Sequence, residues 1–252
     1  MLVSHSHRFV FLREMKTAST STEFALSDLC RGPHDIIGPM DDPQRVEVRN
    51  RFDLPMSKNY TRPPHTWSPS ALFYSTVISA STGRPASRPL YRCHEVPSVV
   101  RAAIGRRRFE EYTKISTLRN PFDRVLSYAR WTRNPDEAPL TPDSFGKWFE
   151  QTKTTLEFRL TRSRYLRGVD ITDRYLRFET LVGDLYLLCK EYSWSTRPAE
   201  ILEELHLKSF GASKTDDGEF FEENPKIVGW IRSRFEKDFE LGAYSIDIPR
   251  ST

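Results

Sequence analysis

Apolar positions along the chain keep two rhythms. Phe9-Val10-Phe11-Leu12 is apolar on both faces of an extended segment, which predicts a buried strand over residues 8–12. From Thr20 the rhythm becomes helical. Ala25, Leu26 and Leu29 form a core-facing stripe, and Thr20-x-x-Glu23 matches a capping box at its start. The same change recurs downstream. Tyr112–Leu118 is rich in β-branched residues, and Asn120-Pro121 then opens a helix with Phe122, Val125, Leu126 and Ala129 on one face. A short helix from Pro97 to Ile104 stops at Gly105. Phe145, Trp148 and Phe149 mark another helix, and Tyr175-Leu176-Arg177-Phe178 another strand. Helical stripes return at Leu185, Leu188, Cys189 and Tyr192, and after Asn224-Pro225 at Ile227, Val228, Ile231 and Phe235. Between Arg31 and Tyr91 the pattern breaks up among prolines and charges. That stretch predicts one helix from Ser68-Pro69 and a short strand at Leu90–Cys93, and its long loops are candidates for substrate-facing segments.

Strands alternating with helices predict an α/β fold with a mostly parallel central sheet flanked by helices. A length of 252 residues suits a single domain, 1–252. A hydrophobic share of 38% with 12% aromatics supports a packed core over disorder. The net charge of +4 is too mild to require nucleic acid and is compatible with a small polyanionic ligand. Cys30, Cys93 and Cys189 are far apart and odd in number, which predicts neither a disulfide framework nor a zinc site. No run approaches about 18 apolar residues, and "MLVSHSHRFVFL" has no unbroken apolar core. The expectation is a cytoplasmic chain without signal peptide or membrane span.

Candidate chemistry gathers where predicted strands give way to helices, the end of an α/β sheet at which ligands bind. "KTASTS", residues 16–21, puts a lysine and small hydroxyl residues at the first junction, without glycine or proline. A helix start leaves N–H groups unpaired and favours an anion; Lys16 adds a full charge, and Ser19, Thr20 and Ser21 add donors. The pattern G-x-x-x-x-G-K-[ST] is absent, which disfavours an ordinary ATP or GTP enzyme. The competing reading is a well-capped helix whose hydroxyls are merely solvated. The second junction is "LRNPFDRVLSYARW", residues 118–131. Arg119 at the strand end can fork onto a phosphate, and Ser127 on the second helical turn can supply a donor. Taken alone, Arg119 reads as an ordinary strand-end charge.

As a pair, these motifs resemble the phosphosulfate-binding elements of sulfotransferases that use 3′-phosphoadenosine 5′-phosphosulfate (PAPS). "KTASTSTEFALSDLC" looks most like the heparan sulfate 2-O-sulfotransferase group. "YLRG" at 165–168, "YLRFETL" at 175–181 and "RFEKDFELGAY" at 234–244 are similar to the broader carbohydrate sulfotransferase family found also in bacteria. Residues 31–88 have no such counterpart, and Met15 stands where the family often has proline. The resemblance implies a P-loop-like three-layer fold. It also implies a PAPS cofactor, leaving as the 3′,5′-bisphosphate PAP. Lys16, Thr17, Ala18, Ser19, Thr20 and Ser21 would hold its 5′-phosphosulfate end, and Arg119 and Ser127 its 3′-phosphate. The expected acceptor is a hydroxyl, on a carbohydrate or another molecule, with neither metal nor nucleic acid involved.

The implied catalytic residues are His94 and Lys16. His94 falls where the family carries a histidine base, and an imidazole titrating near neutrality suits that work. Lys16 would offset the charge on the departing phosphate. Glu95 and His65 are the next bases to consider. Arg106–Arg108 reads as a solvated turn or as a collector of acidic sugar chains, and Glu179 as the structural partner of a nearby arginine. Acceptor contacts are expected from residues 31–88 and 132–165. The alternatives are a nucleotide-dependent phosphotransferase on the same cradle, or a non-catalytic module that binds glycans or nucleic acid. Acceptor identity and oligomeric state are open at this stage.

Overall fold

The apolar run at residues 9–12 is the buried centre of a five-stranded sheet. A computed structural model of the chain describes residues 1–39, 42–61, 91, 94–133, 138–207 and 217–249. The strands are β1 (Leu2–Ser4), β2 (Phe9–Leu12), β3 (Ile36–Ile37), β4 (Thr113–Leu118), β5 (Tyr165–Leu166), β6 (Val169–Asp170) and β7 (Arg174–Arg177). The helices are α1 (Ser19–Ser27), α2 (Pro43–Arg51), α3 (Pro97–Ile104), α4 (Arg106–Glu111), α5 (Pro121–Thr132), α6 (Pro142–Thr161), α7 (Leu181–Glu191), α8 (Arg197–Leu207), α9 (Glu219–Glu222), α10 (Pro225–Arg234) and α11 (Glu236–Gly242). The expected helix from Ser68 and the expected strand at Leu90–Cys93 lie largely outside the described residues, as does His65.

The main sheet has the order β3-β1-β2-β4-β7. β2, β4 and β7 run parallel, while β1 is antiparallel to both β2 and β3 and is therefore the only reversed strand of the sheet. Among the described residues the chain is thus a mixed α/β fold on a mostly parallel sheet, in which the strand that follows β2 is β3 on one side and β4 and β7 are neighbours on the other. That reversal places a topological switch point between the carboxyl ends of β2 and β4, where open α/β sheets form a crevice.

Alternation along the strands feeds two cores. Leu2, Phe9, Phe11, Ile115 and Leu176 pack with α1, α7 and α8, and Cys189 lies within this core. Val3, Val10 and Leu12 point the other way and pack with Val100, Ile104 and Phe109 of α3 and α4. A third core joins α5, α6, α9, α10 and α11 through Phe122, Phe145, Phe221 and Ile231. Each such side chain fully buried contributes about 1.5–3 kcal/mol. These rigid layers fix the two strand–helix junctions. Among the described residues no helix is long and apolar enough to cross a membrane.

The capping box expected at Thr20 does not form. The helix starts one residue earlier, with Ala18 at its N-cap and no side chain capping it. Thr20 and Glu23 are claimed by the buried Arg13, whose guanidinium donates to Thr20 Oγ1 at 2.5 Å and pairs with Glu23 Oε2 at 2.8 Å. A buried guanidinium without such partners would be costly, so the long-range pair wins over the local cap. "YLRG" forms the β5–β6 hairpin, and Arg167 and Gly168 both take positive φ at its two-residue turn.

Candidate functional site

The turn between β2 and α1 is held from inside. The Ser19 hydroxyl donates to the Glu14 carbonyl at 2.6 Å, and the hydroxyls of Thr17 and Thr117 meet at 2.6 Å across β2 and β4. Both Thr17 and Ser19 are buried, so their hydroxyls serve these internal bonds. Thr20 and Ser21 are half-buried. Lys16 (φ 62°) and Ala18 (φ 56°) adopt the left-handed conformation, which a residue with a Cβ takes only when its surroundings enforce it. The consequence is an open main chain. Among the described residues, the backbone N–H groups of residues 17–21 find no acceptor. They form the unsatisfied positive end of α1, a ready anion site.

The second junction is closed by comparison. Asn120 caps α5, its side chain accepting from the Phe122 N–H at 3.0 Å. Glu179 accepts from the Asn120 N–H at 3.0 Å and from the Tyr244 hydroxyl at 2.7 Å. The expected arginine partner for Glu179 is therefore replaced by a main-chain N–H and a phenol, because the carboxylate sits over the start of α5. Ser127 is half-buried on α5, and among the described residues its hydroxyl makes no hydrogen bond.

Between these junctions stand two cations. Arg119 follows β4, its guanidinium lies over the Phe178 ring at 4.3 Å, and its Nη1 donates to the Lys16 carbonyl at 3.4 Å. Its Nε is buried without a partner. The Lys16 ammonium lies 5.6 Å from the centre of the Trp131 ring, which is 59% exposed. Among the described residues neither cation has a carboxylate within ion-pair distance. Burial, and then the charge of Arg119, lower the pKa of Lys16 from its ordinary value. Burial likewise lowers that of Arg119, against the partial relief of Asp123 and Glu179. An anion placed between them would reverse the dominant cost for both.

His94 reaches the same turn. Its Nδ1 lies 2.9 Å from the Arg13 carbonyl, which can only accept, so Nδ1 carries the hydrogen and Nε2 keeps its lone pair. Burial, followed by the charge of Arg13, pushes its pKa down to about 4. The expectation of titration near neutrality is corrected accordingly: a half-desolvated ring beside a guanidinium resists protonation. Glu95, the other nearby base considered, is buried and accepts from the Val96 N–H at 3.3 Å.

A cavity of about 900 Å³ opens between the end of α6 and α10. Phe158, Tyr165 and Trp230 give it aromatic walls, Arg162 lines it, and Arg234 and Lys153 line it paired with Glu157 and Glu150. Val96 also lines it, and Arg162 donates to the His94 carbonyl at 3.4 Å. These residues belong mainly to the 132–165 stretch and α10. The described part of 31–61 instead supplies β3 and α2 at the sheet edge. Arg106 and Arg107 pair with Glu110 and Glu111 on the exposed α4, leading into the opposite, amino end of β4.

Sequence reasoning missed the residues that hold the site together. Arg124 is fully buried, and its Nε donates to the Met15 carbonyl at 3.0 Å while Nη2 pairs with Glu14 at 2.7 Å. Burial pushes the Glu14 carboxyl up, opposed by Arg124 and Arg164. The signal was present as charged residues, Glu14 and Arg124, inside otherwise apolar strand and helix edges. Among the described residues no group of three or more His, Cys, Asp or Glu could hold a metal.

The geometry is a crevice at the switch point of an α/β sheet, with open amides, Lys16 and Arg119 along it and His94 at the same turn. No family model, no curated protein and no solved structure matches the chain.

Proposed function

We propose that the chain is a PAPS-dependent sulfotransferase with a P-loop-like fold, acting on a hydroxyl of a carbohydrate acceptor. One observation carries the reading: two unpaired, partly buried cations, Lys16 and Arg119, flank a run of unsatisfied N–H groups at residues 17–21. Such an arrangement is costly unless an anion completes it. A nucleotide with anionic groups at both its 5′ and 3′ positions matches two cations on adjacent strand ends.

When bound, PAPS supplies an activated sulfuryl group on a phosphate leaving group. Lys16 and the N–H groups of residues 17–21 would bind the 5′ end, and Arg119 with Ser127 the 3′-phosphate. His94 takes the acceptor hydroxyl's proton at Nε2, the nitrogen left bare by the Nδ1 contact to Arg13. Lys16 meets the negative charge that grows on the phosphate oxygen as its bond to sulfur breaks. The cavity between the end of α6 and α10 is the acceptor side, where aromatic faces suit sugar rings and Arg162 suits acidic substituents.

Thermal shift with adenosine 3′,5′-bisphosphate, AMP and ATP tests the reading. At a hundred times its dissociation constant the bisphosphate should stabilise the protein by about 2.7 kcal/mol, with AMP well below it. Equal shifts with AMP remove the 3′-phosphate site, and a larger shift with ATP turns the reading into a phosphotransferase. NMR titration should place His94 near its lowered value of about 4. The folded pKa lies below the ordinary 6.5, so the unfolded chain binds a proton that the folded one refuses. Stability from the neutral ring is complete above 6.5 and is lost as pH falls towards 4. An ordinary titration near 6.5 would remove the desolvated environment assigned to the ring and leave His94 the stronger base.

A further inference from the structure

We infer that Arg124 is a positioning residue that couples the anion cradle to the wall of the 900 Å³ cavity, so that filling the cradle reshapes the cavity. The inference rests on the nucleotide reading proposed above. A single guanidinium joins four pieces of the molecule. Its Nε donates to the Met15 carbonyl at 3.0 Å, and its Nη2 to Glu14 at 2.7 Å and to the Leu160 carbonyl at 2.5 Å. Its Nη1 pairs with Asp238 at 3.2 Å. Met15 and Glu14 immediately precede Lys16 in the cradle. Leu160 sits in the last turn of α6, and among the described residues its carbonyl takes no backbone N–H. Its neighbours Phe158, Thr161 and Arg162 line the cavity.

The connection continues inward. Asp238 also pairs with Arg164, and Arg164 Nε reaches Asp170 at 3.3 Å. The Tyr175 hydroxyl donates to Asp170 at 2.5 Å. All of these charged side chains are at most 3% exposed. Well-packed apolar residues stabilise a core at least as well as a buried ionic web, so stability alone does not account for one. What a fork of fixed hydrogen bonds adds is direction. It sets where the left-handed turn at Lys16 stands relative to the end of α6, and a shift of one is transmitted to the other through a group that has few alternative arrangements.

The test uses the full chain carrying 5-fluorotryptophan and ¹⁹F NMR. Trp131 reports the cradle and Trp230 the cavity, with resonances assigned through Trp131→Phe and Trp230→Phe. Saturating adenosine 3′,5′-bisphosphate should move both resonances in the native protein. In Arg124→Lys, which keeps the charge and loses the fork, Trp131 should still move and Trp230 should stay. A Trp230 resonance that stays while Trp131 moves in the native protein overturns the coupling, as does one that moves equally in Arg124→Lys. Hydrogen exchange without ligand gives an independent reading. Arg124→Lys should lose protection at residues 22–25, the first bonded amides of α1, and at 156–162 together, and loss confined to either segment overturns the inference. If Arg124→Lys fails to fold, Glu14→Gln takes its place in both measurements, with a smaller loss in the same direction. Silence of both tryptophans towards the bisphosphate removes the nucleotide reading, and the exchange measurement then decides the coupling by itself.

Discussion

The junctions after β2 and after β4 share one topology, a parallel strand feeding a helix at the same end of the sheet, yet they are finished in opposite ways. At the second, Asn120 caps α5 and Glu179 takes the Asn120 N–H, so the helix start is satisfied from within. At the first, Ala18 offers no cap, two left-handed residues are tolerated, and the amides of residues 17–21 are left open. A helix end that is stabilised internally has little left for a ligand. The first junction forgoes about 1 kcal/mol of capping and accepts backbone strain, and in return it keeps a concentrated positive end free. The difference teaches which of two similar loops keeps its main-chain amides open: under the proposed reading the first offers amides and Lys16, and the second only the side chains of Arg119 and Ser127.

Breaking the comparison should hurt the open junction most. Lys16→Ala removes the charge that serves the cradle in the ground state and as the phosphate leaves. Turnover should fall by about 10²–10³-fold and bisphosphate affinity should fall with it, measured by product formation and calorimetry. Unchanged affinity would place Lys16 outside the cradle. Arg119→Ala comes next. It should weaken adenosine 3′,5′-bisphosphate more than AMP by about 1.5–3 kcal/mol, and equal weakening would mark Arg119 as support for the turn. The smallest effects are in stability and have opposite signs at the two junctions. Asn120→Ala should cost about 1 kcal/mol, a melting shift of about 2–4 °C. Ala18→Gly should instead stabilise by about 0.5–1 kcal/mol, because glycine adopts the left-handed angle freely. A destabilising Ala18→Gly would show that the Ala18 methyl's packing outweighs the strain.

Much of the frame was legible because its signals are local. The doubly buried β2, the β-branched β4, and the stripes of α1, α5 and α10 needed only neighbouring residues to be read. β1 and β3, of three and two residues, exist because β2 offers an edge to β1 and β1 in turn offers one to β3, and no local periodicity announces them. At the site, the positions of Lys16 and Arg119 at strand ends followed from the pattern. The capping of α1 did not, because Arg13 takes Thr20 and Glu23 from a different element. Nor did the titration of His94, which depends on burial and then on the charge of Arg13, 81 positions earlier in the chain. Charge–charge geometry across distant segments is the part that composition and spacing leave unwritten.

The proposed recognition through main-chain N–H groups has a consequence for how this protein would look under saturation mutagenesis. Every residue but proline carries the same amide, so Ser21 could be exchanged widely without deleting a contact, and a tolerance map would score it as dispensable. The intolerant positions would lie behind the ligand surface, at Arg13, Glu14, Thr17 and Arg124, whose side chains impose the shape that points those amides outward. The binding surface would register in such a map chiefly as its own scaffold.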